Sequence, residues 1–173
     1  MKGDESTSVP RRFEPPRAVD WAGGWVRAID QTQLPGCVRY IELGTAEEVR
    51  EAIRGMKIRG APAIGVAAAL GVALAARSCP DSNVRAEALS AAERLRGARP
   101  TAVNLAWAVE RMKKVIETGG REGGDSLREK LLSEAISIME EDRELCRRIG
   151  ENGAALLKDG WTVLTHCNAG ALA

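Results

Sequence analysis

The stretch "RGAPAIGVAAALGVALAA", residues 59–76, decides the fold. From 61 to 76 it holds sixteen consecutive Ala, Ile, Val, Leu, Gly and Pro residues. A membrane-spanning helix needs about 20 strongly apolar residues, and this run is shorter and carries two interior glycines. It therefore reads as a helix buried in a core, with Pro62 suited to its first turn. Gly65 and Gly71 lie inside this helix, so their spacing is not that of a nucleotide loop. Their expected role is to let another helix pack closely.

Upstream, residues 25–30 and 37–43 read as two short strands joined by a turn containing Leu34-Pro35-Gly36. Thr45-x-x-Glu48 is a capping-box pattern, opening a helix whose apolar positions include Val49, Ile53 and Met56 and which ends near Lys57. Downstream, Cys79-Pro80-Asp81-Ser82 closes the buried helix and starts another that runs to about Arg96, with Gly97 as its stop. Arg99-Pro100-Thr101 opens the next helix, which carries Val103, Trp107 and Met112 and ends before Gly119-Gly120. The segment "TGGREGGDS", residues 118–126, reads as a flexible connection. A long amphipathic stretch from about Ser126 to Lys158 follows, with a break expected at 150–153. Residues 161–166, "WTVLTH", read as a short buried strand behind an Asp159-Gly160 turn. Cys167 to Gly170 then form a loop, and Ala171-Leu172-Ala173 begin a helix. That is the opening of a βα unit, which binds ligands at the carboxyl end of its strand. No later segment supplies a neighbouring strand, so the chain reads as cut off where its chemistry begins.

Composition narrows the function. With 45% hydrophobic but only 3% aromatic residues, the core must be assembled from Ala, Val, Leu and Ile. Lys and Arg number 25 against 24 Asp and Glu, which argues against a nucleic-acid binder working through a broad basic surface. No membrane partner is expected. Cys37, Cys79, Cys146 and Cys167 are far apart, form no CxxC pair and are accompanied by a single histidine, so neither zinc nor a disulfide framework is expected. No metal or cofactor is called for, and a reducing cytoplasm is the default location. Residues 1–20 lack an apolar signal-peptide core and read as a mobile, Pro-containing tail.

Two places share a local design, an Arg followed by a Pro at the mouth of a helix: Arg59-Gly60-Ala61-Pro62 and Arg99-Pro100-Thr101. A helix start presents unpaired N–H groups and a partial positive charge, and it attracts anions. An adjacent guanidinium adds a planar fork suited to phosphate, and Gly60 lets backbone approach a ligand. Two such mouths facing one cleft would suit a sugar phosphate. The same pattern also describes ordinary solvated arginines and a routine first-turn proline. Cys37, Cys79 and Cys146 read as buried and inert. Cys167 stands apart, because a helix start behind it would favour its thiolate. His166 is adjacent but points to the opposite face of an extended strand, so it reads as a packed or hydrogen-bonded structural histidine and not as a partner in a nucleophilic pair.

Four segments, "LPGCVRYIEL", "IRGAPAIGVAAALGVAL", "ARPTAVNLAWAV" and "LTHCNAGALA", together resemble the N-terminal half of the methylthioribose-1-phosphate isomerases, over about residues 25–173. The wider family includes ribose-1,5-bisphosphate isomerases and, more distantly, regulatory subunits of the eukaryotic initiation-factor guanine-nucleotide exchanger. The resemblance implies an aldose–ketose isomerase of methionine salvage, a helical N-terminal domain with a small sheet (21–158), and a Rossmann-like α/β domain whose first strand lies in 159–173. It implies a homodimer, a sugar-phosphate substrate, Arg59, Gly60, Ala61 and Arg99 as substrate-binding residues, and Cys167 as the catalytic residue. The family's ring-opening acid is an Asp of the second half, absent from this sequence. A chain of these residues alone is thus expected to be inactive and poorly soluble until a second half is supplied. The alternatives are a ribose-1,5-bisphosphate isomerase and a non-catalytic regulatory subunit that senses a phosphorylated metabolite.

Overall fold

The computed structural model describes residues 16–119, 123–167 and 169–173. The element order is β1 (Val19–Trp21), β2 (Val26–Ile29), β3 (Tyr40–Leu43), α1 (Ala46–Arg54), α2 (Ala61–Arg77), α3 (Val84–Arg96), α4 (Val103–Thr118) and α5 (Gly124–Ala154). A small antiparallel sheet, ordered β1-β2-β3, packs against a helical body. Its register pairs Val19 with Ala28 and Val26 with Leu43, and this puts all four on the core side. Arg27, between two buried residues of β2, faces outward and lies 4.1 Å from the centre of the Tyr40 ring.

The buried helix is where the sequence places it. Every residue of α2 from Ala63 to Ala76 is buried. It touches all the other helices, together with β1 and β2. Its small side chains permit this, and the two glycines mark the closest approaches. A Cβ on Gly65 would lie 3.0 Å from the Asn104 carbonyl oxygen, and one on Gly71 would lie 3.0 Å from Leu95 Cδ1. At the far end of α2, Arg128 of α5 donates to the carbonyls of Ala76 (3.0 Å) and Cys79 (2.6 Å), taking up acceptors that a helix terminus leaves unpaired. The capping box of α1 is complete: Thr45 Oγ1 accepts from Glu48 N–H, and the Glu48 carboxylate accepts from Thr45 N–H.

Several expectations are corrected. The proposed tail reaches too far, because Ala18 and Val19 are buried and β1 begins at Val19; residues 1–15 lie outside the described residues. Met56 is exposed with φ 61°, because α1 ends at Arg54 and a tight turn sends Lys57 N–H and Ile58 N–H back to the Ala52 carbonyl. α4 starts at Val103, so Arg99-Pro100-Thr101 forms the turn before it rather than its first turn, and Val103 and Trp107 are exposed while Met112 is buried. Of the connection read at 118–126, residues 120–122 lie outside the described residues, and 124–126 are already helical. α5 runs unbroken through Gly150 and Gly153. Cys37 and Cys146 are exposed and Cys79 is half-buried, which contradicts the buried reading. Residues 161–166 form no strand and are exposed. An isolated apolar segment has no ladder to join, and among the described residues no strand lies beside it to accept its backbone groups.

Candidate functional site

The N-terminus of α2 is built to receive an oxygen. Gly60, its N-cap, has φ 93°, a conformation that L side chains rarely adopt, and no side chain caps the helix. Pro62 has no N–H, so the first-turn donors that remain belong to Ala61 and Ala63. Ala63 N–H donates to the oxygen of Ala173 at 2.8 Å. That segment lies directly against Gly60, where a Cβ would come within 2.4 Å of both the Cα and the oxygen of Ala173. Only glycine permits this approach.

The second mouth stands alongside. Gly65, one turn into α2, abuts the backbone of Asn104 in the first turn of α4, so both helices begin at the same end of the domain. These two helices also share an electrostatic feature. α1, α3 and α5 carry Glu47 and Glu48, Glu87, and Asp125 in their first turns, whereas α2 and α4 carry no acidic residue there. A first-turn carboxylate would compensate the helix dipole and repel an incoming anion, so its absence at these two ends leaves them open to an external negative charge.

Arg59 is exposed and immediately precedes the α2 mouth, with Gly60 half-buried and Ala61 exposed. Arg99 is half-buried in the turn before α4, where its carbonyl accepts from Ala102 N–H at 2.9 Å. Arg59, Gly60 and Ala61 are thus gathered at one mouth and Arg99 lies at the entrance to its neighbour. A surface hollow of about 330 Å³ on the same turn is lined by Glu93, Arg96, Gly97, Pro100, Ala102 and Ala106; it includes none of the candidate residues.

Cys167 is exposed, with φ 62°, a region unusual for a residue with a Cβ. Ala173, six positions further along the chain, is docked on Gly60, so Cys167 stands within roughly 20 Å of the α2 mouth by chain length alone. His166 beside it is exposed and not packed as expected. Asn168 lies outside the described residues. No cluster of three or more potential metal-ligating side chains occurs among the described residues, and none of their helices is long and apolar enough to cross a membrane.

Gln31 escaped the sequence reading. It follows β2, is 8% exposed, and sends its amide nitrogen to the carbonyls of Leu172 (2.8 Å) and Arg59 (3.3 Å). A lone glutamine after a strand carries no pattern that would have singled it out.

Known proteins share this fold. A methylthioribose-1-phosphate isomerase of Geotalea uraniireducens is 52% identical over 160 residues, which are 91% of this chain and 46% of that protein. The crystal structure of 5-methylthioribose 1-phosphate isomerase from Pyrococcus horikoshii superposes with a TM-score of 0.86 at 39% identity, over 93% of this chain and 48% of that one. A structure described as translation initiation factor eIF-2B, subunit delta, from A. fulgidus gives a TM-score of 0.81 at 43% identity, over 90% of this chain and 46% of that one. The chain spans about half the length of the relatives it matches. The profile of the initiation factor 2 subunit family matches residues 57–173, from the end of the α1 turn through the α2 mouth to Ala173. The chain belongs to the initiation factor 2 subunit family.

Proposed function

We propose that these residues form the substrate-binding half of an aldose–ketose isomerase that converts 5-methylthioribose 1-phosphate to 5-methylthioribulose 1-phosphate in methionine salvage. The observation that carries this reading is the pair of adjacent helix mouths without first-turn carboxylates, on a chain 52% identical to a protein named for that reaction. In this reading the backbone N–H groups of Gly60 and Ala61 and the guanidinium of Arg59 hold the phosphate, and Arg99 approaches from the α4 side.

Phosphate on C1 closes the free-aldehyde route, so the ring opens by protonation of its own oxygen. A proton then leaves C2 and is delivered to C1, while the C2 hydroxyl becomes the ketone. Cys167 serves as the base that carries this proton, and the two mouths stabilise charge as it develops. The ring-opening acid comes from outside residues 1–173, from a Rossmann-like domain that begins within 159–173. The working enzyme is a cytoplasmic homodimer. A second reading, a non-catalytic subunit sensing a phosphorylated metabolite, is favoured by the resemblance to the A. fulgidus structure.

The test is turnover of 5-methylthioribose 1-phosphate and ribose 1,5-bisphosphate by a polypeptide of the relatives' full length, alongside residues 1–173 alone. Faster ketose formation from the methylthio sugar, lost by at least about a hundredfold in Cys167→Ser, is the expected result, the size being that of a general acid–base contribution. Residues 1–173 alone should bind the sugar phosphate without turning it over. Unchanged turnover in Cys167→Ser would remove the proton-transfer role, and binding without turnover in the longer protein would favour the sensor.

A further inference from the structure

We propose that Gln31 is a positioning residue, which holds the segment carrying Cys167 against the α2 mouth. Its backbone is anchored first: Gln31 N–H donates to the Lys57 carbonyl at 2.9 Å, two residues before Arg59. Asp30 fixes the short turn that begins there, accepting from Thr32 N–H at 3.1 Å and from the Thr32 hydroxyl at 2.6 Å. From this fixed base the Gln31 side chain reaches two separate stretches of chain. One is the carbonyl of Arg59 at 3.3 Å, on the loop that opens α2, and the other is the carbonyl of Leu172 at 2.8 Å, 141 residues away in sequence.

Both partners are carbonyl oxygens, which only accept. The amide must therefore turn its NH₂ group to them, and each of its two hydrogens has its own acceptor. Next to Leu172, Ala173 closes the contact by accepting from Ala63 N–H and by packing on Gly60. Ala173 N–H in turn donates to the Gly170 carbonyl at 3.0 Å, so residues 170–173 are folded as a turn. Gln31 thus ties the arginine-bearing loop to the thiol-bearing segment in one amide group, burying its own side chain to do so. A buried donor without these partners would lose hydrogen bonds that it cannot replace with water. The inference rests on the isomerase reading only for the chemistry of the thiol that is held; the tie itself is independent of it.

Three substitutions separate the possibilities. Gln31→Met keeps the length and apolar stem without the donors. Gln31→Glu keeps the shape but turns carboxylate oxygens toward two carbonyls. Gln31→Asn keeps the amide on a shorter stem that falls short of the two acceptors. Amide hydrogen exchange on residues 1–173 reads the tie directly. In all three variants, exchange at Ala63 and Ala173 should accelerate at least tenfold, while Leu70, Val72 and Leu74 in the buried part of α2 keep their wild-type rates. Unchanged exchange at Ala63 and Ala173 would overturn the proposal, and so would acceleration spread equally over the whole of α2, which marks a general loss of stability.

In the longer protein, kcat for the isomerase reaction should fall at least tenfold in Gln31→Met with KM changed less than threefold, because the Gln31 N–H bond to Lys57 still anchors the Arg59 loop while the tie to Leu172 on the thiol side is lost. Altered exchange with unchanged kcat would overturn the positioning role. If the unsubstituted longer protein shows no turnover, the isomerase reading fails, and the exchange measurement alone decides whether Gln31 holds the segment.

Discussion

Gly65 and Gly71 lie on the same helix with the same nominal clearance, yet substituting each by alanine should give different results. Both changes gain helix propensity, about 1 kcal/mol for Gly to Ala in a helix interior. At Gly65 the new methyl would meet the Asn104 carbonyl oxygen at 3.0 Å and its carbonyl carbon at 3.4 Å, both backbone atoms of α4. Backbone cannot rotate away, so α4 must shift as a body, and overpacking of this kind costs roughly 2–3 kcal/mol. The net expectation for Gly65→Ala is a loss of about 1–2 kcal/mol, equivalent to a fall in Tm of around 5 °C for a domain of this size. At Gly71 the neighbours are the side chains Leu95 Cδ1 at 3.0 Å and Val49 Cγ1 at 3.3 Å, and Leu95 can change rotamer. There the gain and the strain nearly cancel, and stability should stay within about 1 kcal/mol of wild type. Urea unfolding followed by tryptophan fluorescence measures both. A Gly65→Ala protein as stable as wild type would show that α2 and α4 are not in backbone contact, and the adjacency of the two mouths would fall with it.

Two further expectations concern ionisation and thiols. Arg111 hydrogen-bonds Glu141 across α4 and α5, with Ser137 adding a second donor, and the Glu141 carboxyl is lowered from 4.5 to about 2. A depressed carboxylate stabilises the fold above its unfolded value and loses that contribution as pH falls from about 4.5 toward 2. Glu141→Gln should therefore flatten the fall of Tm over this window, and identical slopes in the two proteins would contradict the ion pair. In the folded chain a disulfide-exchange reagent should label Cys37 and Cys167 first and Cys79 last, since Cys79 is half-buried with its Sγ 3.4 Å from the Ala76 carbonyl. Cys146 should lag behind the other exposed thiols at neutral pH, because partial desolvation of its sulfur, with the Asp142 carboxylate adding to it, pushes its pKa up. Uniform labelling of all four would indicate that the chain is not folded as described.

Features specified by neighbouring residues were legible in the sequence, and those that depend on a distant partner were not. The apolar run at 61–76 announces a buried helix because no other structure can absorb it at that length, and the Thr45–Glu48 box is a local circuit of two hydrogen bonds. β1 was missed because it is three residues long and exists only through its ladder with β2. Met56 has helical spacing from Ile53, but the turn at Gly55 points it to solvent. Residues 161–166 show the converse error: apolar composition signals a tendency to be covered, not the presence of a cover. Both helix mouths were visible as Arg-Pro patterns, although at Arg99 the helix starts later than the proline suggests. Their missing carboxylates carry meaning only beside the acidic first turns of the other helices. Gln31 was invisible because its partners stand 28 and 141 residues away.

The central placement of α2 also has a thermodynamic consequence. This helix touches every other helix and two of the three strands, so its first turn is joined to the whole domain and is not carried on an independent loop. A ligand bound only by the folded form lowers the free energy of everything that must come apart with α2. At a hundred times its dissociation constant such a ligand adds about 2.7 kcal/mol to global stability. Anions and sugar phosphates that occupy the mouth should therefore reveal themselves as a rise in the melting temperature of the entire domain, before any reaction is assayed, and the size of the rise ranks their affinities.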